Sequence, residues 1–290
     1  MLLLTGASGT VGAALLRRLV GAGMPVRCLV REPKELGAER VRVQIALGDL
    51  ADPPSFRNAM RGVDTVVHLA GSPRDQAGGS IEELNGIATW RMVGAAERAG
   101  VERFLFLSAL GATTHSRPRL HRAKALAERV VLGSRLRTTV LSTSLVYAPG
   151  DRWLTALGRL ALLPAMPVSG RARALFQPIW AEDVADCIMA VLHGSPSGRY
   201  ELAGPDTLSH EDIVRLALRS FGRARPLVHM PTPLVSRGLR VLEAALQSKA
   251  PAVWDEAELL EVSMLASRGT ADAAELGVVP RAMAEVLGAE

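Results

Sequence analysis

The chain opens with MLLLTGASGTVG, residues 1–12, and this stretch restricts the possible folds more than any other. Leu2, Leu3 and Leu4 form an apolar run too short for a helix, which reads as a buried strand. Thr5 to Gly12 then turns directly into a helix, with Gly6, Gly9 and Gly12 at three-residue spacing. Glycines so placed allow a tight turn, close approach of backbone to a pyrophosphate, and close packing of helix on strand. The free N–H groups and partial positive charge of a helix start make a diphosphate the natural guest. An ordinary glycine-rich strand–helix turn is the competing reading.

With 290 residues, 48% hydrophobic and 22% charged, the chain can bury a large core as one α/β domain or a domain plus a smaller lobe. No apolar run approaches the ~18 residues of a membrane span. The first apolar run stops at Thr5, so it is not a secretory signal, and the cytoplasm is the expected location. Cys28 and Cys187 are too few for a disulfide framework, and no CxxC or paired histidines suggest a metal. The net charge of +5 comes from scattered arginines, with Lys only at 34, 124 and 249 and aromatics at 4%. A nucleic-acid surface needs clustered charge interleaved with stacking rings, so no nucleic-acid partner is expected.

Beyond the loop, Val11, Leu15, Leu19 and Val20 give a helical stripe that leaves Arg17 and Arg18 facing out. Residues 25–30 read as strand two, followed at once by Arg31, Glu32 and Lys34. At this point an acid holds a ribose 2′-hydroxyl, whereas an arginine accommodates a 2′-phosphate. Arg31 therefore favours NADP(H), with NAD(H) the alternative. Further strands are expected at 41–45, 63–70, 103–108 and 138–143, with a helix capped by Asp52 and a long one from about 80 to 99. His68 falls inside a strand and reads as a packed residue. Lys124 and Glu128 share one helical face. This alternation implies a Rossmann-type doubly wound parallel sheet, with its ligand at the C-terminal strand ends.

After Ser144 the rhythm changes. A short helix at 154–163, an extended piece at 176–180, a helix at 182–192 and a strand at 200–203 are expected. A helix capped by Ser209 runs to Phe221, and two more are expected at 231–247 and 256–266. Residues 1–145 and 176–203 would then form the NAD(P)-binding domain. Residues 146–175 and 204–290 would form a smaller, mostly helical C-terminal lobe over the strand ends.

TGASGTVG (5–12), GDL (48–50), HLAG (68–71), FLFLSALGA (104–112) and the helix around Lys124 together resemble the short-chain dehydrogenase/reductase superfamily, in its extended and atypical branches. VYAPGD (146–151), FQPIWAEDVA (176–185) and YELAGPDTLSHEDIV (200–214) are most similar to the NAD(P)-binding accessory subunit of respiratory complex I and its bacterial relatives, then to NmrA-like proteins. The resemblance implies that Gly6, Ser8, Gly9, Thr10, Val11 and Gly12 cradle the pyrophosphate and that Arg31 meets the 2′-phosphate. It further implies that Asp49 and Leu50 border the adenine, that Ala70 and Gly71 border ribose and diphosphate, and that Lys124 bonds the nicotinamide ribose. Ser108 or its neighbour matches the serine that polarises a carbonyl.

One element of that pattern is missing. The superfamily places Tyr four residues before the Lys, as the proton donor beside hydride transfer. Here Leu120 takes that position, and leucine has no proton to give. Strand six also departs, with Ser142-Thr143 where many atypical members have Arg-Pro. His121 adjoins the vacant position and has a suitable pKa, but on a helix it points about 100° away from Leu120 and reads as a surface residue. His115 is a second candidate donor, and Tyr147 either lines the pocket or packs. The expected function is an NADP(H)-dependent atypical reductase passing hydride to a small apolar carbonyl, enone or quinone. The alternatives are a non-catalytic NADP(H)-binding protein presenting its lobe to a partner protein, and a redox-neutral epimerase or dehydratase.

Overall fold

Leu2–Thr5 forms β1, and all four of its side chains are buried. Such a continuous apolar run suits a central strand covered on both faces. A computed structural model describes residues 1–76, 78–194, 196–231 and 254–289. Helix α1 (Thr10–Gly21) follows, then β2 (Val26–Val30), β3 (Gln44–Leu47), α2 (Pro53–Arg57) and β4 (Thr65–His68). Next come α3 (Ala88–Ala99), β5 (Arg103–Ala109), α4 (Arg119–Leu132) and β6 (Arg137–Thr143). The second half contributes β7 (Val146–Tyr147), α5 (Arg152–Leu160), β8 (Met166–Ser169), β9 (Leu175–Phe176) and β10 (Ile179–Trp180). It continues with α6 (Ala181–Gly194), β11 (Gly198–Leu202), β12 (Leu208–Ser209), α7 (His210–Ser220) and β13 (Leu227–Met230).

Seven strands make one sheet in the order β11-β6-β5-β4-β1-β2-β3, and every neighbouring pair is parallel. After β3 the chain crosses back to place β4 beside β1, so strand order reverses there and a crevice opens above the strand ends. Leu15, Leu19, Val184 and Ile188 cover one face, from α1 and α6. Phe104, Phe106, Met92 and Val131 fill the other, under α3 and α4. A third cluster joins Tyr147, Leu154, Phe176, Ile213 and Met264 around the short strand pairs β8–β13 and β9–β12. Ser209 and Asp212 form a capping box at the start of α7.

Several local expectations need correction. Strand three begins at Gln44 rather than at 41, because 3-10 turns occupy Pro33–Val41 and leave Val41 exposed. Asp52 stands at the start of α2, yet its side chain caps nothing. The long helix is interrupted by a π-helical turn at Glu83–Ile87, where Asn85 bonds outside the helix. Arg18 does not face out. It binds Glu182, and its Nε donates to Asp186 at 2.5 Å, tying α1 to α6. The expected helix at 256–266 is only Trp254–Leu259, because Met264 leaves it to bridge Phe176. The helix expected at 231–247 lies outside the described residues apart from Pro231. Cys28 and Cys187 are free, buried core thiols, and burial pushes both up to about 12.

Candidate cofactor cleft

The turn after β1 takes its shape from steric necessity. Gly6 has a φ of +74°, and a Cβ there would lie 2.6 Å from the Ala70 backbone nitrogen. A Cβ on Gly12 would stand 1.9 Å from the Gly6 carbonyl oxygen, so α1 can press onto the loop only with glycine there. Gly9 N–H donates to the Gly6 carbonyl at 3.0 Å and closes the turn. Thr5 Oγ1 bonds His68 Nδ1 at 2.7 Å, and His68 Nε2 meets Thr89 Oγ1 at 3.1 Å. Burial, with the Lys124 charge, pulls His68 down to about 3, so this imidazole is a neutral brace between β1 and β4. It is the packed strand residue that its sequence position implied.

Above the switch between β1 and β4 lies a cleft of about 230 Å³. Of the residues expected at the cofactor, Gly6, Ser8, Gly9 and Arg31 line it from one side. Asp49, Leu50, Ala70 and Gly71 line it from the other. Thr10 starts α1, and Val11 and Gly12 are buried behind the lining, Gly12 as the packing contact just described. The Asp49 turn is held by its N–H donating to Ser55 Oγ at 2.9 Å and its Oδ1 accepting from Ala51 N–H at 2.9 Å. Arg31 donates to Gln76 Oε1 at 3.0 Å, and Gln76 Nε2 donates to Ser72 Oγ at 3.0 Å. Ser8 donates to Glu35 at 3.1 Å, so Glu35 lines this cleft beside Arg31, whereas Glu32 does not.

Sequence reading missed Asn85. It is fully buried, donating Nδ2 to the carbonyls of Ser72 and Ile81 at 2.8 Å and accepting from Ser72 N–H at 3.2 Å. These bonds fix the loop after β4 and accompany the π-helical turn. The available signal was an Asn-Gly pair, Asn85-Gly86, inside an otherwise helical pattern.

Lys124 reaches the same loop from α4. Its Nζ donates to the Leu107 carbonyl at 2.7 Å, sits 4.8 Å from the centre of the Phe106 ring, and lies 3.4 Å from where a Gly71 Cβ would be. Burial pulls its pKa down to about 8, against the opposing pull of Glu128. Glu128 in turn accepts from Ser142 Oγ at 3.4 Å and pairs with Arg199 at 3.5 Å. Ser108 is buried at the end of β5, and its Oγ finds no partner among the described residues. Leu120 is half-buried in the first turn of α4.

The remaining proton-donor candidates fare differently. His121 is not a surface residue: it is fully buried beneath the loop at Gly111, and both ring nitrogens lack partners among the described residues. Burial lowers its pKa, and it does not line the cleft. Tyr147 is also fully buried, packed in the third core cluster, and burial drives its pKa upward. His115 makes no contribution to the cleft lining.

The residues present fit a dinucleotide. Gly6 and Gly71, where a Cβ would clash with the Ala70 backbone and with Asn85 Oδ1, present backbone alone to the cleft at the strand ends, while Ser108 and Lys124 lie buried outside its lining. Among the described residues no cluster of His, Cys, Asp or Glu could hold a metal ion, and no helix is long and apolar enough to cross a membrane.

A family model described as NAD(P)H-binding matches residues 6–194. The chain is 27% identical, over 95% of its length and 73% of the relative's, to the mitochondrial NADH dehydrogenase [ubiquinone] 1 alpha subcomplex subunit 9 of Arabidopsis thaliana. It is 29% identical to a (4-alkanoyl-5-oxo-2,5-dihydrofuran-3-yl)methyl phosphate reductase of Streptomyces griseus, covering 89% of this chain and 85% of that one. A solved nucleoside-diphosphate-sugar epimerase from Staphylococcus aureus superposes with a TM-score of 0.76 at 18% identity, over 99% of both chains. At that identity the last likeness speaks to fold alone.

Proposed function

We propose, for a chain that belongs to the NAD(P)H-binding family, the role of an NADP(H)-dependent reductase of the atypical short-chain type. The observation that carries this reading is the meeting of the glycine cradle with a buried, protonatable Lys124 beside Gly71. Lys124 is buried behind the cleft lining, where its charge is costly, and a ribose that shares its remaining N–H groups supports that placement.

A bound nicotinamide supplies the hydride. The chain's residues do the rest. Gly6, Ser8 and Gly9 line the cleft beside the start of α1, whose free N–H groups suit a diphosphate. Arg31, Asp49 and Leu50 line the same cleft, and in this reading Arg31 meets a 2′-phosphate while Asp49 and Leu50 border the base. Lys124 Nζ has two further N–H groups beyond its bond to Leu107, and these suit ribose hydroxyls. Ser108 Oγ, buried outside the cleft lining and without a partner among the described residues, retains a hydrogen bond to give.

Leu120 leaves no phenol to deliver the accompanying proton. The reading therefore favours acceptors that collect a proton from water after hydride arrives, namely enones and quinones, over simple ketones. The reductase among the relatives is in keeping with this. The test is NADPH oxidation by the purified chain across enones, quinones and ketones, together with NADPH and NADH titrations. Turnover of enones or quinones is expected. NADPH binding without oxidation by any acceptor would instead support the second reading, a non-catalytic NADP(H)-binding protein that docks a partner through its C-terminal lobe. Leu120 and the similarity to a complex I subunit favour that alternative.

A further inference from the structure

Arginines that lie scattered along the sequence gather around the ends of α5 and α7. Residues 152–181 hold four arginines and residues 213–230 hold four more, and neither stretch contains an aspartate or a glutamate. Arg223 Nη1 and Arg225 Nε both donate to the Ala161 carbonyl, at 3.1 and 3.3 Å, which sets them at the C-terminal end of α5. Arg159 and Arg219 are exposed in the last turns of α5 and α7. Among the described residues none of these four arginines pairs with a carboxylate.

Inside this basic ring stands an apolar tip. Ala161 is fully buried, whereas Leu160, Leu162 and Leu163 are 37%, 64% and 45% exposed. Leu162 N–H donates to the Arg159 carbonyl at 3.1 Å and Leu163 N–H to the Leu160 carbonyl at 3.0 Å, so backbone holds both leucines outward on the turn that ends α5. Phe221, 38% exposed at the end of α7, lies against the same helix: a Cβ on Gly158 would be 3.4 Å from its ring. Single exposed apolar side chains are ordinary, but four adjoining ones mark a surface that something covers.

The occupant must combine negative charge with apolar room. A soluble acidic partner satisfies the charge but has to supply a preformed pocket for a two-leucine tip. A bilayer containing anionic lipid needs none: leucines enter its interface to a shallow depth, and guanidinium forks meet the lipid phosphates above them. We propose that the ends of α5 and α7 form a peripheral docking surface for an anionic bilayer, with Leu162 and Leu163 entering it and Arg159, Arg219, Arg223 and Arg225 binding its phosphates. None of these residues lines the cofactor cleft, so the surface is independent of nucleotide chemistry.

Cosedimentation of the full chain with vesicles tests this. Binding is expected to vesicles of phosphatidylcholine and phosphatidylglycerol in equal parts and not to phosphatidylcholine alone, and it should weaken as salt is raised. Arg159→Gln and Arg219→Gln should each lower vesicle affinity about fivefold. Leu162→Ser combined with Leu163→Ser should lower it about tenfold or more. Val279→Ser removes an 85% exposed valine elsewhere in the chain and should leave affinity unchanged. All the substituted side chains are exposed, and circular dichroism checks that each variant is folded. Failure to sediment with the anionic vesicles overturns the proposal, as does binding that the arginine and leucine variants leave unchanged. Binding that the arginine variants lose but the leucine pair retains is adsorption by charge alone and overturns the inserted tip. A chain that ignores the vesicles yet binds poly-glutamate through Arg159 and Arg219 has an acidic polypeptide as its partner, and the bilayer is then excluded.

Discussion

Lys124 Nζ donates a 2.7 Å hydrogen bond to the carbonyl oxygen of Leu107, so the ammonium is held at the end of β5 by backbone rather than by a carboxylate. Its charge is therefore poorly compensated, and burial pulls the pKa from 10.5 down to about 8. Below about pH 8 folded and unfolded chains are both protonated, and the fold bears the whole cost of burying the charge. Between about 8 and 10.5 the unfolded chain holds the extra proton, so stability without cofactor rises with pH across that window.

Replacing Lys124→Met should consequently stabilise the cofactor-free chain at pH 7. The upper limit is about 3 kcal/mol, reduced by the lost bond to Leu107. The pH dependence between 8 and 10.5 should flatten. Urea denaturation at several pH values measures both effects. The same variant should weaken NADPH binding, and wild-type affinity should fall as pH rises through about 8, where the ammonium is lost.

Gly12 packs against the Gly6 carbonyl so closely that a methyl group would sit 1.9 Å from the oxygen. Backbone, not a flexible side chain, is the obstacle, so α1 or the loop must move. Gly12→Ala should destabilise the chain by about 3 kcal/mol and reduce dinucleotide affinity at least about tenfold. Thermal denaturation and NADPH titration report the two losses separately. Gly21→Ala, with nothing near its Cβ, is the matched control and should leave NADPH affinity unchanged.

The glycine turn and the strand–helix alternation were legible because they depend on local residue type and period. The edge strand β3 was harder, since its side chains are mostly exposed and carry little alternation. The π-helical turn was invisible because Asn85 takes its partners from the loop after β4. His121 read as a surface residue because the irregular loop at Gly111, whose path no periodicity reveals, folds back over its ring. The break at 260–264 has an origin distant in sequence: Met264 N–H donates to the Leu175 carbonyl at 2.9 Å instead of continuing a helix. The Arg74–Glu256 ion pair joins residues 182 positions apart, beyond any local pattern.

Cofactor preference should turn on two side chains of opposite sign in one cleft. Arg31 and Glu35 both line it, and Ser8 holds the Glu35 carboxylate at 3.1 Å. A 2′-phosphate gains from the guanidinium and loses from the carboxylate, whereas a 2′-hydroxyl can use the acid. Arg31→Ala should cost NADPH about 1.5–3 kcal/mol of binding while changing NADH little. Glu35→Gln should shift preference the other way, toward NADPH. Fluorescence titration of both nucleotides against both variants measures the ratio. Equal loss of the two nucleotides in Arg31→Ala would remove this arginine from the selectivity argument.

Leu120 occupies the first turn of α4, one helical turn before Lys124, and is half-buried. A tyrosine there would place a phenol on the face of α4 that carries Lys124, whose charge favours a phenolate and so lowers the phenol's pKa. Leu120→Tyr should therefore raise NADPH-dependent turnover of simple ketones, by about 10²-fold if the phenol reaches the carbonyl oxygen. Turnover of quinones, which need no such donor at the hydride step, should change far less. Adding Lys124→Met to Leu120→Tyr should remove most of the gain, because the phenol then lacks its neighbouring cation. Initial rates with one ketone and one quinone across wild type and the two variants decide the matter. If Leu120→Tyr binds NADPH normally but reduces no ketone faster than wild type, the proton donor is not what limits this cleft.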